Sequence, residues 1–308
     1  MQVKITRKLN CVSFNLISLL IFFLINIHSL NIFAQRLIDR NFIIQSTHDS
    51  IPKGRIGAYG KFGMHRLIRD NNHGWLQEIG IIIDLMRNHF FDFHGESLIE
   101  FIADPNNDIR FNPRAIFWQE GLYFSKQLEN HFLVLGYFHR CKHDIDNYFL
   151  NEERTLIYAS ITLKHVINIQ KEFFDDFKIQ NRLDIYTVRN DYRTPKTFSK
   201  TSIDNLFLSS GSIIYAKKTI TPEIECILKL NFLISFFSYE RNFFKQVKSP
   251  SSFQFNYGFS TGINLKRFPE FLFIISYEFL NDSGISINSD KSRLLSFSML
   301  FSTSNLIF

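Results

Sequence analysis

The chain has 308 residues, of which 16% are aromatic and 36 are phenylalanine, with only 13 glycines and 7 prolines. This composition excludes a collagenous or disordered chain and favours β-strands, where aromatic and β-branched side chains pack well. Setting aside the first 35 residues, which hold three cations and no acids, lowers the net charge from +6 to +3, so a nucleic-acid partner is not indicated. Only Cys141 and Cys226 follow that segment, which excludes a disulfide-dense scaffold.

The first 35 residues have the pattern of a secretory signal peptide. A segment with three cations precedes a mostly apolar run over 12–30, and the small residue Ala34 marks the cleavage region. A retained membrane helix is the alternative, because about 20 apolar residues can span a bilayer. We therefore expect 36–54 to be a periplasmic lead-in and 55–308 to form a single folded domain.

After this leader, segment after segment alternates between apolar and polar residues, which is typical of a strand with one apolar face. The clearest is FQFNYGFSTGINL, in which every second residue from Phe253 to Ile263 is apolar or threonine, while the residues between them are small or polar. Twelve such segments occur, near 55–66, 74–86, 90–102, 114–127, 130–143, 154–166, 182–193, 203–219, 223–239, 252–266, 270–281 and 291–302. Most reach the roughly 9 to 11 residues that a tilted strand needs to cross a membrane. We predict an all-β fold, an antiparallel up-and-down transmembrane barrel of about twelve strands.

The connections between these segments alternate in length. Those after odd-numbered segments are long and polar, such as DPNNDIRFNP and NDSGISINSD, whereas those after even-numbered segments are mostly tight, such as RNH at 87–89 and LEN at 128–130. The exception is 167–181, for which a short periplasmic helix and an error in the strand count are both open. In the predicted barrel the long connections lie at one end and the tight ones at the other.

This alternation resembles the outer-membrane β-barrels of Gram-negative bacteria, which have long extracellular loops and short periplasmic turns. The last segment, LLSFSMLFSTSNLIF, ends in Phe308 and resembles their closing strand, in which a C-terminal aromatic residue serves as an assembly signal; Phe301 is the alternative for that role. The resemblance implies a location in the outer membrane and the barrel-assembly machinery as a partner of the last strand. The two thiols would then lie near opposite ends of the barrel, too far apart for a disulfide.

The stretch LGYFHRCKHDIDNYF, at 135–149, contains histidine, cysteine and aspartate, the residue types that catalysis or metal binding needs. If Tyr137 faces lipid, so do His139 and Cys141. In that orientation the pair resembles the His-x-Ser site on the lipid-facing wall of outer-membrane phospholipase A and the lipid A deacylases, with a thiol in place of the hydroxyl. The resemblance implies a base at His139 and a nucleophile at Cys141. The groups that would orient His139 are Glu120, Trp118, Glu152 or Glu153.

Two other interpretations of the same stretch remain open. In one it is a polar rim, in which Arg140 and Lys142 are available for the phosphates of lipopolysaccharide and other outer-membrane lipids. In the other, His139, His143 and Asp144 hold a metal ion. The histidines would be about 13 Å apart at 3.3 Å per residue, which is too far to share one ion, so no metal or cofactor is predicted.

A set of ionisable residues on the second and third segments shares the parity of lumen positions. These residues are Glu78, Asp84, Asp92, His94, Glu96 and Glu100. Such groups either pair and plug a barrel or line an aqueous path, and a narrow twelve-stranded barrel favours plugging. The function expected from the sequence is a structural, narrow-pore or surface-binding outer-membrane barrel, with a lipid hydrolase that uses His139 and Cys141 as the alternative.

Overall fold

A computed structural model describes residues 43–44, 56–66, 72–87, 90–106, 112–145, 152–194, 203–237, 252–266, 270–280, 284–285, 292–302 and 306–307. None of the helical structure in these ranges is long and apolar enough to cross a membrane. The predicted leader lies outside the described residues, as does most of the predicted lead-in. The same applies to the C-terminal Phe308.

Twelve strands close into one antiparallel barrel, in which each strand pairs with its chain neighbours and the last pairs with the first. They are β2 (Ile56–Arg66), β3 (Trp75–Arg87), β4 (Asp92–Asp104), β5 (Asn112–Leu128), β6 (His131–Asp144), β7 (Glu153–Asn168), β8 (Asp176–Thr194), β9 (Leu206–Thr221), β10 (Ile224–Phe237), β11 (Ser252–Leu265), β12 (Glu270–Leu280) and β13 (Ser292–Ser302). A separate two-stranded pair joins β1 (Ile43–Ile44) to β14 (Leu306–Ile307). The predicted twelve-stranded barrel is confirmed.

The connection predicted at 167–181 is shorter than its sequence suggested. The ladder continues through Asn168, which pairs with Lys178, so β8 begins at Asp176 and the turn is confined to 169–175. A periplasmic helix in this segment is therefore wrong, and the count of twelve strands is right. The one helical element described is a 3₁₀ turn at Ile203–Asn205, immediately before β9.

The strand bounds place the long connections at one end of the barrel, here called the long-loop end, and the short ones at the other, the short-turn end. The long-loop end holds the connections 67–74, 105–111, 145–152, 195–205, 238–251 and 281–291. The short-turn end holds 88–91, 129–130, 169–175, 222–223 and 266–269. This is the alternation that the sequence predicts.

The barrel has the opposite polarity to a water-soluble protein. On β5, Trp118, Leu122 and Phe124 face outward and are exposed, whereas Gln119 and Ser125 face inward and are buried. Burying polar side chains and exposing large apolar ones is favourable only where the outside is lipid. A closed barrel also leaves no strand edge without a hydrogen-bonded neighbour, which lipid requires. The fold is therefore a β-barrel of the transmembrane type.

Candidate functional site

The six ionisable residues predicted to face the lumen lie on the inner face of β3 and β4. Five of them are buried: Glu78, Asp84, His94, Glu96 and Glu100. The sixth, Asp92, is half-buried at the short-turn end of β4. Further charged and aromatic side chains line the inner face as far as β8. We call the inner face of β3–β8 the charged wall.

Arg140 links the buried polar groups of β4 and β5. Its guanidinium donates to Glu100 Oε2 at 2.8 Å and to Gln119 Oε1 at 3.1 Å, and lies 4.9 Å from the centre of the Phe117 ring. Gln119 in turn donates to Glu96 Oε1 at 3.5 Å. A buried carboxylate is tolerated when it is paired and hydrogen-bonded in this way. These contacts pair the buried charged groups of three neighbouring strands, β4, β5 and β6.

A second ionic network lies at the long-loop end of β6, β7 and β8. Asp191 accepts hydrogen bonds from Arg154 at 2.9 Å and from Arg193 at 2.8 Å, and all three side chains are buried. Lys142 pairs with Asp144 and donates to the backbone carbonyl of Arg154 at 2.9 Å. The network ties three neighbouring strands together where they leave the membrane-spanning wall.

Two apolar clusters fill much of the remaining interior. The first extends along the inner face from β5 to β10 and consists of Tyr123, Phe132, Val134, Phe138, Leu156, Tyr158, Val166, Tyr186, Ile203, Leu206 and Phe237. The second lies at the long-loop end and consists of Leu76, Ile102, Ala115, Phe117, Leu280, Ile285 and Leu294. Within each cluster the apolar side chains are removed from water, which stabilises the barrel.

Two residues of the long connections take part in these clusters. Ile203 belongs to the 3₁₀ turn before β9, Ile285 belongs to the connection after β12, and both are 0% exposed. Gly284 has a φ of +69°, a conformation that favours glycine, and a Cβ there would lie 3.2 Å from Leu156 Cδ1 on the far side of the barrel. The described parts of two connections therefore pack against the interior at the long-loop end of the barrel.

The inner face of β9–β13 and β2 differs in composition from the charged wall. Most of its residues are small or uncharged: Ser209, Gly211, Asn231, Ser235, Gln254, Asn256, Gly258, Ser260, Gly262, Ser276, Ser296, Ser298 and Gly63. We call this face the small-residue wall. Near the long-loop end Ser209 and Ser235 are buried and their hydroxyls are 3.0 Å apart. The small-residue wall leaves room for side chains from the charged wall.

Towards the short-turn end several inward-facing side chains are partly exposed, although Glu225 and Asn264 there are buried. The partly exposed residues lie on β8–β11, and they are Gln180, Ile213, Tyr215, Lys217, Ile227, Lys229, Asn231, Ser260 and Gly262. We call this space the vestibule. The vestibule lies nearer the short-turn end, whereas the buried side chains of Ile203 and Ile285 lie at the long-loop end.

The pair His139 and Cys141 lies on the outer wall, on the same face as Tyr137, which is 45% exposed. Glu120 of β5 is the direct cross-strand partner of His139, and Trp118 is that of Cys141. The Trp118 indole donates to Glu120 Oε1 at 3.1 Å. Among the described contacts no hydrogen bond joins His139 to Cys141 or to Glu120. The residues that hydrolysis would need share one wall, and their catalytic role stays a prediction.

Arg140 and Lys142 alternate with this pair and face the interior, where they are 7% and 0% exposed. Both are engaged there, Arg140 with Glu100 and Lys142 with Asp144. Binding of lipopolysaccharide phosphates by these two cations stays a prediction, and their inward placement gives it no support. Within the ranges that the structure describes, no three His, Cys, Asp or Glu side chains gather into a group that could hold a metal.

The sequence reasoning missed the network around Asp191. Arg154 has the parity of Tyr158 on β7, so its inward direction could have been read from the same alternation. Asp191 could not, because a β-bulge between Tyr186 and Val188 shifts the register and reverses the parity of the rest of β8. Regular alternation from Tyr186 would place Asp191 on the outer face.

A closed antiparallel barrel that is apolar outside and polar inside has the architecture of an outer-membrane β-barrel. No model of a known protein family matches the chain, and no curated protein matches it in sequence. Among solved structures, the chain is similar to the COG4313 outer membrane channel from Pseudomonas putida F1, at 8% identity over 86% of this chain and 100% of that one, with a TM-score of 0.43.

It is also similar to the KdgM porin, at 7% identity over 80% of this chain and 98% of that one, with a TM-score of 0.40. A third similar structure is the translocator domain of autotransporter NalP from Neisseria meningitidis, at 7% identity over 83% of this chain and 89% of that one, with a TM-score of 0.40. At these identities and scores no function is carried over from the three proteins.

Proposed function

We propose that the protein is a narrow channel of the outer membrane that is held closed at its long-loop end. The observation that carries this proposal is the vestibule, a partly exposed interior bounded by β8–β11. A barrel with a purely structural role has no need of such a space, because side chains can fill a barrel of this size. The apolar outer face supports a location in the outer membrane. The same proposal includes export of the chain by the predicted leader and recognition of the last strand by the barrel-assembly machinery.

The lining of the vestibule indicates the solutes that suit it. Gln180 and Asn231 contribute amides, Tyr215 a phenol, and Lys217 and Lys229 ammonium groups. Lys217 pairs with Glu225 at 3.2 Å, so part of this positive charge is neutralised locally. Donors and acceptors that line a pore select solutes by hydrogen bonding and charge. The vestibule therefore suits small polar solutes that enter from the short-turn end.

The seal at the other end indicates how the channel opens. Ile203 and Ile285 come from connections rather than from strands, so both can leave the lumen while the barrel stays closed. Fully burying one such side chain is worth about 1.5–3 kcal/mol, an amount that a conformational change of a loop can supply. Opening then consists of the withdrawal of these two side chains from the apolar clusters.

The experiment is a conductance measurement in planar lipid bilayers on the wild type and on the double variant Ile203→Asp, Ile285→Asp. We expect brief, infrequent openings of the wild type and an open probability at least about tenfold higher in the variant, the factor that corresponds to about 1.4 kcal/mol. Ile275→Ser, on the lipid-facing wall, is the matched control and should behave as the wild type. Absence of conductance in both proteins would overturn the channel and favour a structural or surface-binding barrel.

A lipid hydrolase is the second candidate, and the cross-strand pairing of Glu120 with His139 favours it. A carboxylate beside a histidine can orient the ring, and a nearby thiol can then act as the nucleophile. Hydrolysis of a mixed-micelle phospholipid should be lost in Cys141→Ala and retained in Cys226→Ala. Equal rates in the two variants would eliminate this candidate.

A further inference from the structure

Three polar side chains lie side by side on the outer wall, across three neighbouring strands. Ser97 of β4 pairs with Glu120 of β5, and Glu120 pairs with His139 of β6. Direct cross-strand neighbours on one face have Cβ atoms about 4.5–5.5 Å apart. We call these three residues the polar row.

The polar row lies within the apolar outer surface. Along β5, Glu120 is flanked by Trp118 and Leu122, which are 47% and 53% exposed. The cross-strand neighbour of Ser97 on its other side is Ile81, which is also exposed. The row therefore does not belong to the water-facing rim of the barrel. It places a carboxylate among side chains that face lipid.

A carboxylate in this position is costly unless a partner satisfies it. Charged groups on the lipid-facing side of a barrel destabilise it, and an intramembrane ionisable residue is by default a functional one. The described donor to Glu120 is the Trp118 indole, which reaches one of the two carboxylate oxygens. The second oxygen and the His139 ring are available to a group from outside the chain.

The lipid-facing surface on the opposite side of the barrel is more uniformly apolar than the surface around the polar row. The outward-facing residues of β11, β12 and β13 between the ends of each strand are apolar or aromatic, apart from Thr261 and from Arg293, which lies next to the long-loop end of β13. The Thr261 hydroxyl donates to the backbone carbonyl of Ile227 at 3.2 Å and so satisfies itself within the sheet. Among the described contacts, no hydrogen bond joins the side chain of Glu120 or His139 to a backbone group.

We propose that the β4–β6 face is an interface with a second copy of this chain. A two-fold axis along the membrane normal brings the same face of two copies together, and such an interface must be complementary to itself. The polar row meets this condition, because Glu120 of one copy comes opposite His139 of the other, and the reverse. An anionic lipid headgroup suits the site less well, since Glu120 would repel its phosphate.

The chain carries its own reporters for this interface. Cys141 lies two residues along β6 from His139 on the same outer face, whereas Cys226 lies on the outer face of β10. Both thiols are free. One cysteine is thus close to the proposed interface and the other is on a different side of the barrel, which gives a matched pair of single-cysteine proteins when Cys11→Ser is included in both.

The experiment is cross-linking of the full chain in native outer membranes with a short bis-maleimide. Cys226→Ser, which retains Cys141, should give a product of twice the monomer mass, and Cys141→Ser, which retains Cys226, should not. No product through Cys141, an equal product through Cys226, or a product with a protein of another mass would each overturn the proposal. None of these outcomes bears on conductance, so the channel is tested separately.

A second measurement tests the polar row itself. Glu120→Leu with His139→Leu, made in the background that retains Cys141, turns the face apolar and should lower the cross-linked fraction about tenfold or more at equal expression. Heat-modifiable gel migration establishes that this variant still forms a barrel. An unchanged cross-linked fraction in a folded variant would show that the row does not hold the copies together.

Discussion

The charged wall and the small-residue wall enclose the same lumen but stabilise it in different ways. On β3–β8, long side chains form ion pairs such as Arg140 with Glu100, and aromatic rings pack beside them. On β9–β13 and β2, serine, glycine and asparagine lie close to the backbone. A narrow barrel cannot hold two walls of long side chains, so the large residues of one wall are matched by small residues on the other.

The two walls also have different roles: the charged wall contributes most to the stability of the barrel, and the small-residue wall adjoins the vestibule. The stability of the charged wall depends on buried ion pairs. Removal of one partner of such a pair leaves the other charge buried without a counterion. The small-residue wall depends more on packing and on hydrogen bonds between neutral groups such as Ser209 and Ser235, with charged groups such as Lys217 and Glu225 near the short-turn end, where the vestibule adjoins it. We therefore expect substitutions on the charged wall to unfold the barrel, and substitutions on the small-residue wall to be tolerated.

The largest effect is expected from Asp191→Ala on the charged wall. The substitution leaves the buried guanidinium groups of Arg154 and Arg193 without their shared carboxylate, which should cost about 3–5 kcal/mol of unfolding free energy. The measurement is urea unfolding in lipid vesicles, followed by the fluorescence of the chain's two tryptophans. Ser235→Ala on the small-residue wall is the control and should cost about 1 kcal/mol. A larger loss in the control would contradict the comparison.

An intermediate effect is expected from adding a methyl group at a glycine of each wall. At Gly136 a Cβ would meet the ring of Tyr123 and the backbone oxygen of Leu122, whereas at Gly258 it would meet the end of the Asn231 side chain. A buried ring cannot move aside without disturbing the cluster around it, so Gly136→Ala should cost about 1–3 kcal/mol. Gly258→Ala should cost less than about 1 kcal/mol, because an amide end can rotate away.

The same urea unfolding of both glycine variants checks this prediction. Gly95→Ala is a further control, since the nearest atom to its Cβ would be Leu85 Cδ1 at 3.6 Å, an ordinary contact. Equal losses at Gly136 and Gly258 would mean that the two walls are packed alike.

The smallest effect is expected at the short-turn end, where the two walls meet. Asp175 accepts hydrogen bonds from the backbone of Thr219 at 2.5 Å and from Lys218 at 3.1 Å. The hydrogen bonds from Thr219, together with Lys218, lower the pKa of Asp175 to about 2. Because the pKa is depressed, the stabilisation is fully present above the unfolded value of about 3.9 and is lost as the pH falls through about 2.

The test compares the melting temperatures of the wild type and Asp175→Asn between pH 6 and pH 2. The difference should be small but constant from pH 6 to about pH 4, and should then shrink towards zero as the wild-type carboxylate becomes protonated. Asp175 is exposed, so solvent screening keeps the effect small. A difference that grows as the pH falls would contradict the assigned direction.

The alternation of residue types was sufficient to predict the walls of the barrel. Period-two patterning in each segment gave the strands, and the lengths of the connections gave the two ends, because both are local properties of a chain that crosses a membrane repeatedly. Parity gave the inward direction of Glu100 but left the direction of His139 open, because a bulge near Gly136 would reverse it. It failed past Tyr186, where the bulge in β8 reverses the faces and turns Asp191 inward.

The sequence by itself determined the all-β class, the twelve strands, their order and most of their facing. Only the tertiary structure decided which residues meet across the lumen, since contacts such as Gly284 with Leu156 join segments far apart in the chain. It also decided that Ile203 and Ile285 are buried in the apolar clusters and that Glu120 lies beside His139 on the outer wall. The reason is physical: alternation is set by each strand alone, whereas pairing and closure depend on the register of the whole barrel.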